Sequence, residues 1–134
     1  MGEVEVVVEA EINPTEDEAK VKRAVENMFS NLEFEVKPQR RGSLLTARAH
    51  GVDGLTKLYN LLGRERIRDA ARSVFYKGIG EGSIVFYLNK QVAYAGHVSF
   101  SQPVGESPLG PLTVKIQCRN PQEIIDWLAP RTTI

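Results

Sequence analysis

Two segments of this chain alternate between apolar and polar residues, and they constrain its fold more than any other feature. The first is EVEVVVEAEI over residues 3–12, and the second is LTVKIQC over residues 112–118. Such alternation is typical of strands with one buried and one more polar face. A sheet of such strands needs helices mainly on one side, which predicts an α+β, two-layer sandwich with a mainly antiparallel sheet, rather than a doubly wound parallel sheet.

Four further segments are predicted to be strands. EFEVK at 33–37 and LLTARAH at 44–50 form a hairpin, because alternation resumes on both sides of a turn. SIVFYLN at 83–89 and VAYAGHVSF at 92–100 are interpreted as a strand-turn-strand pair. Residues 101–111 contain several prolines and glycines and are therefore predicted to form an irregular loop.

Helical spacing of apolar residues predicts two helices in the first half of the chain. The first spans about 16–31, and Thr15 and Glu18 stand at capping-box spacing at its start. The second is predicted to be capped by Asp53 and to end at Gly63 in a left-handed conformation.

Two more helices are predicted further along the chain. One runs through GRERIRDAARSVFYKG, residues 63–78, and is closed by Gly78. The last is capped by Asn120, carries a buried stripe that includes Trp127, and ends before Pro130.

Length and composition favour one globular domain over residues 1–134, with 42% hydrophobic and 25% charged residues. The formal net charge is zero, which argues against binding of nucleic acid by bulk electrostatics and leaves only local binding. A single cysteine, Cys118, forms no internal disulfide, which indicates a reducing compartment. The apolar run at residues 6–8 is too short for a signal peptide or a membrane span, so a cytoplasmic protein is predicted.

No residue pattern points to an enzyme. GIGEG at 78–82 is followed by a predicted strand, whereas a phosphate-cradling loop needs a helix there, so the run is interpreted as a turn. Ser107 is followed by Pro108, which has no N–H to donate to an oxyanion. His50 and His97 have no recognisable partner. We therefore predict no catalytic residue, no metal site and no cofactor.

The arginines of residues 63–78 are the strongest candidate for a binding site. Three of them recur every four residues and would project from one helix face, with a lysine near the end of that helix. Two arginines of the predicted hairpin turn could extend this patch. The candidate RNA-contacting residues are Arg64, Arg68, Arg72, Lys77, Arg40 and Arg41. The alternative is a solvated helix face neutralised by Glu65 and Asp69.

Several segments together resemble a known family. They are AEINPTEDEAKV, LTKL with RERIRDAAR, the ESPLG loop and NPQEIIDWLAPRT. Over essentially the whole chain they are similar to the archaeal uncharacterised protein family 0201. The resemblance implies an α+β fold similar to a large-subunit ribosomal protein that binds ribosomal RNA. It also implies a role in RNA binding, with an exosome connection suggested for relatives.

Three functions remain open at this point. The first is a non-enzymatic archaeal protein that binds structured RNA through a local arginine face. The second is a structural or protein-interaction module, such as the subunit of a homodimer or a larger assembly. The third, an enzyme, is the least favoured because no catalytic constellation is visible.

Overall fold

Six antiparallel strands form one open sheet in the computed structural model, among its described residues 3–102 and 109–131. In chain order they are β1 (Val4–Ile12), β2 (Glu33–Pro38), β3 (Ser43–His50), β4 (Ile79–Gly80), β5 (Ser83–Leu88) and β6 (Leu112–Cys118). Their order across the sheet is β2-β3-β1-β6-β5-β4. The two alternating segments of the sequence are therefore its central pair, with every neighbouring strand antiparallel.

Five α-helices of the described residues pack against one face of this sheet. They are α1 (Glu18–Met28), α2 (Thr56–Arg64), α3 (Arg68–Lys77), α4 (Lys90–Tyr94) and α5 (Pro121–Leu128), and a 3-10 turn (Val52–Leu55) precedes α2. The strand residues that face the helices belong to one continuous hydrophobic core, whereas their neighbours on the other sheet face are exposed or half-buried. The prediction of a two-layer α+β fold is confirmed.

Alternation along the central strands explains why the core lies on one side. Five residues of β1 are at most 6% exposed: Val4, Val6, Val8, Ala10 and Ile12. Val8 lies between Ala47 of β3 and Val114 of β6, so the apolar residues continue across the sheet. The aromatic rings of Phe75 and Phe86 meet with centroids 4.8 Å apart beneath the helices.

Residues 92–100 do not form the predicted strand. Asn89 caps the short helix α4 by accepting a hydrogen bond from the Val92 amide at 3.0 Å, and Gly96 with φ 88° follows the helix. Residues 97–100 are irregular, and their backbone pairs with β5 at the bridge between Leu88 and Phe100. The cap and the glycine are local helix signals that prevail over the apolar pattern of this segment.

The ends of α1 and α2 also differ from the prediction. Asp17, not Thr15, caps α1 by accepting a hydrogen bond from the Ala19 amide at 2.9 Å, and the helix ends at Met28. The 3-10 turn before α2 contains Asp53, which makes no capping hydrogen bond there. Gly63 lies inside α2 and does not end it.

The glycine-rich segment GIGEG links α3 to the sheet. Gly78 follows the last residue of α3, β4 pairs with β5, and Gly82 adopts φ 68° in the turn between these strands. A strand therefore follows the glycines, which confirms the interpretation as a helix-to-strand turn. ESPLG, in contrast, lies mostly in residues 103–108, outside the described residues.

Helix α5 begins as its sequence predicts. Asn120 accepts a hydrogen bond from the Glu123 amide at 3.4 Å, and Pro121 is the first residue of the helix. Trp127 differs from the prediction because it is only partly buried. Its indole stacks on the Tyr59 ring of α2, with centroids 4.8 Å apart and planes 16° apart.

Candidate nucleic-acid interface

The predicted row of arginines is divided between two helices. Arg64 is the last residue of α2, Arg68 is the first residue of α3, and Arg66 between them adopts φ 57°. The Arg66 amide bonds to the Gly63 carbonyl at 3.2 Å and the Ile67 amide to the Leu62 carbonyl at 3.1 Å. These two bonds form a Schellman motif, which ends α2 at this corner. The prediction of one helix face shared by Arg64, Arg68 and Arg72 is therefore wrong.

Arg72 connects α3 to α5. Its guanidinium donates to the Ala129 carbonyl at 3.2 Å, to the Tyr76 hydroxyl at 3.1 Å and to the Asp126 carboxylate at 2.6 Å. The Arg72 side chain is only 13% exposed. Hydrogen bonding from this guanidinium is the main reason that the pKa of Asp126 lies below its ordinary value of 3.8. Arg72 is thus engaged inside the protein.

Replacing Arg72 with glutamine is expected to destabilise the protein by roughly 1–2 kcal/mol, because the buried Ala129 carbonyl loses its donor. The exposed part of the ion pair contributes little to this loss. The pKa of Asp126, followed by NMR, should rise toward its ordinary value. Lys77→Gln on the exposed side of α3 is the control, and it should change neither quantity. An unchanged Asp126 titration in Arg72→Gln would contradict this assignment.

Arg68 lies between α2 and α3. Its guanidinium is 5.5 Å from the centroid of the Tyr59 ring, which also stacks on Trp127. Any Cβ at Gly63 would collide with this guanidinium, so the glycine leaves room for it. The Arg68 Nε is buried and has no hydrogen-bond partner within the described residues. Arg68 therefore packs chiefly against its own neighbouring helices.

The remaining candidates are exposed but lie apart. Arg40 and Arg41 occupy the turn between β2 and β3, where β2 is one edge of the sheet. Helix α3, which ends with Lys77, packs on β5 near the opposite edge. Arg40 and Arg41 therefore do not form one continuous patch with the arginines of α3.

The corner between α2 and α3 is held against the segment that follows α4. The Glu65 carboxylate accepts a hydrogen bond from the Val98 amide at 3.2 Å and lies 3.3 Å from the His97 Nδ1. Arg64 and Arg66 flank Glu65, are exposed, and form no ion pair within the described part of the chain. Two exposed cations therefore lie at this corner. Arg66 was not predicted from the sequence, because left-handed helix ends are usually marked by glycine.

A buried ion pair near the start of α1 joins three segments of the chain. Lys90, only 5% exposed, donates to the Glu16 carboxylate at 3.1 Å and to the carbonyls of Glu11 and Leu109 at 2.7 and 2.8 Å. The Asn13 side chain also donates to the Leu109 carbonyl at 3.2 Å. This network ties the end of β1 and the start of α4 to the segment just before β6.

The charge state of Glu16 follows from these contacts. Burial alone would raise its pKa, but hydrogen bonds from the Asn13 backbone and side chain and from Lys90 outweigh it. The pKa of Glu16 therefore lies below its ordinary value of 4.5, and the carboxylate is ionised at neutral pH.

Both histidines have a carboxylate neighbour that the sequence did not reveal, and for His97 it is Glu65. His50 lies 3.4 Å from the Glu5 carboxylate on the exposed sheet face. Burial raises the pKa of the Cys118 thiol, so this sulfur is not activated as a nucleophile. Within residues 3–102 and 109–131, His, Cys, Asp and Glu side chains form no cluster that could hold a metal ion.

The helices of the described residues are short compared with a membrane span. None of them combines the length and the apolar character needed to cross a bilayer.

Comparisons with known proteins agree on one family. A family model described as RNA binding matches residues 5–118. A UPF0201 protein of Pyrobaculum neutrophilum is 48% identical over 130 residues, covering 96% of this chain and 90% of the relative. One from Thermococcus kodakarensis is 44% identical over 128 residues, with 96% and 91% covered. The crystal structure of a UPF0201 protein from Methanococcus jannaschii shares 35% identity and a TM-score of 0.85, covering 96% of this chain and 95% of that one. This chain therefore belongs to the archaeal UPF0201 family.

Proposed function

We propose that this protein is a non-catalytic module that binds structured RNA in the archaeal cytoplasm through a local group of cations. The observation that carries the proposal is the match of the RNA-binding family model over residues 5–118. A formal net charge of zero means that the chain has no global attraction for phosphates, so the contacts have to be concentrated on one surface.

The exposure of each cation indicates which arginines can contact RNA, and this set differs from the set predicted from the sequence. Arg64 and its neighbour Arg66 are exposed at the α2–α3 corner, and we assign phosphate contacts to them. Lys77 is exposed as well and can add a contact at the end of α3. Arg68 and Arg72 make internal contacts, so we assign them the role of positioning these helices.

Exchanging both corner arginines for glutamine is expected to weaken RNA binding. The slope of log K against log salt should fall by about one unit for each phosphate contact removed. Arg40→Gln with Arg41→Gln is a matched control, because it removes the same charge from an exposed turn at the edge of the sheet. Binding of a labelled RNA hairpin at several salt concentrations measures both the affinity and the slope.

Two results would count against this proposal. Equal losses in the corner variant and the control would mean that RNA responds to total charge alone. No binding of the wild-type protein to the hairpin at near-physiological salt would favour the alternative function, a protein-interaction module such as a homodimer. Sedimentation of the wild type would then give the oligomeric state.

A further inference from the structure

A groove between α1 and α4 carries features of a nucleotide site. Its volume is about 630 Å³, and it is shallow and open to solvent. Lys20 and Arg23 of α1 line one side, and Tyr94, Ala95 and Gly96 line the other. This groove could not be predicted from the sequence, because the predicted strand over residues 92–100 placed Tyr94 within the sheet.

Tyr94 presents an aromatic surface to solvent. Its side chain is 46% exposed, the largest exposed fraction among the bulky hydrophobic and aromatic residues of the described chain. The Asn27 side chain donates to the carbonyls of Ala93 and Tyr94 at 3.0 and 3.1 Å, which fixes the end of α4 against α1. Space next to Gly96 is open, since a Cβ there would have no neighbour within 4 Å. A flat ligand can therefore reach the ring.

Two cations lie close to this ring. The Lys20 Nζ lies over the face of the Tyr94 ring, 6.0 Å from its centroid, and a base that stacks there would take its place. Arg23 follows one helical turn later on the exposed side of α1. Neither forms an ion pair within the described residues. Lys22 of the same helix, in contrast, pairs with Glu18. Glu26 is the acidic residue of the groove, so two cations outnumber one acid.

The chain segment that lines one side of the groove continues to the α2–α3 corner. Gly96 lines the groove, and the next two residues, His97 and Val98, contact Glu65 between the two corner arginines. The cations of α1 and those of the corner therefore border one stretch of chain.

We propose that the groove is a stacking subsite for an unpaired base of RNA, with Tyr94 under the base and Lys20 and Arg23 on the adjacent phosphates. This proposal rests on the RNA-binding function and specifies the part of the RNA that the protein selects. An exposed aromatic ring with cations close to it is the combination that proteins use to bind single-stranded nucleic acid. An acidic peptide would use the cations but has no need of the ring.

Tyr94→Ala should lower affinity for an RNA hairpin with a single-stranded loop by roughly tenfold or more, because stacking of one base is lost. The salt slope should stay unchanged, and Tyr94→Phe should restore most of the affinity. Affinity for a blunt RNA duplex should not change. Tyr76→Ala is the matched control, since Tyr76 is 37% exposed but contacts Arg72 and Gln122 between α3 and α5.

Lys20→Gln with Arg23→Gln is a second test that leaves the ring in place. It should lower hairpin affinity and reduce the salt slope by about 0.7 for each single-strand phosphate that the variant no longer neutralises. Thermal unfolding verifies that all variants are folded.

The outcomes separate this proposal from the function on which it rests. If the wild type binds the hairpin and Tyr94→Ala binds it equally well, the subsite is refuted and RNA binding stands. An equal loss in Tyr76→Ala would also refute it. If the wild type binds neither RNA, both proposals fail. Binding of poly-glutamate that depends on Lys20 and Arg23, without RNA binding, would assign the groove to an acidic protein partner.

Discussion

Replacing Lys90 with methionine is expected to lower the free energy of unfolding by about 3 kcal/mol at neutral pH. Methionine keeps an unbranched apolar side chain but donates no hydrogen bond. The Glu16 carboxylate and the carbonyls of Glu11 and Leu109 would therefore lose their common donor. Breaking a buried ion pair on one side costs about 3–5 kcal/mol, and the low end applies because the Glu16 side chain keeps 11% exposure.

The effect of Lys90→Met should depend on pH. Because the pKa of Glu16 is held below its ordinary value of 4.5, the ionised carboxylate contributes stability above that pH. This contribution is lost as the pH falls through the lowered pKa. The difference in unfolding free energy between wild type and Lys90→Met should therefore narrow below pH 4.5.

Urea titrations at neutral and acidic pH, followed by Trp127 fluorescence, measure both effects. Lys115→Met makes the same change on the exposed face of β6 and should leave the midpoint nearly unchanged. Glu16→Gln combined with Lys90→Met should cost less than the sum of the single variants, since the two side chains interact directly. Additive costs, or a midpoint that is unaffected by Lys90→Met, would show that this network does not stabilise the fold.

Elements with a purely local signal could be predicted from the sequence. The alternation of β1 and β6 reports directly which residues face the core, and Asn120 with Pro121 marks the start of α5. The prediction for residues 92–100 was wrong because an apolar segment of this length is also compatible with a strand. The Asn89 cap and Gly96 favour the short helix α4, which also packs against α1. Asn27 of α1 makes one of these contacts with Ala93, 66 residues later in the chain.

The candidate site was harder to predict than the fold, for two physical reasons. A spacing of four residues places arginines on one face only if they belong to one continuous helix. Arg66 ends the helix in a left-handed conformation, and no glycine in the sequence marks this end. Arg72 finds its carboxylate partner 54 residues later, on α5. Likewise Tyr94 and Lys20 meet only because α4 packs on α1, which no local pattern encodes.

Gly78→Ala is expected to cost about 3 kcal/mol of stability, whereas Gly80→Ala two residues later is expected to be neutral or stabilising by about 0.4–1 kcal/mol. A Cβ on Gly78 would collide with the Val85 carbonyl oxygen of β5. The backbone there has little freedom to move, because the Gly78 amide bonds to α3 and its carbonyl accepts from the Val85 amide at 2.9 Å.

Gly80 provides a matched control within the same glycine-rich segment. A Cβ on Gly80 would meet only the Ser83 hydroxyl at 3.4 Å, and its backbone is not in the left-handed region, so alanine fits and restricts the unfolded chain. Urea unfolding of both variants distinguishes the two effects. A phosphate-cradling loop predicts the opposite pattern, in which both alanines weaken binding of inorganic phosphate and neither changes stability. Opposite stability changes at Gly78 and Gly80 would establish that close approach of α3 to β5, rather than anion binding, requires the glycine at 78.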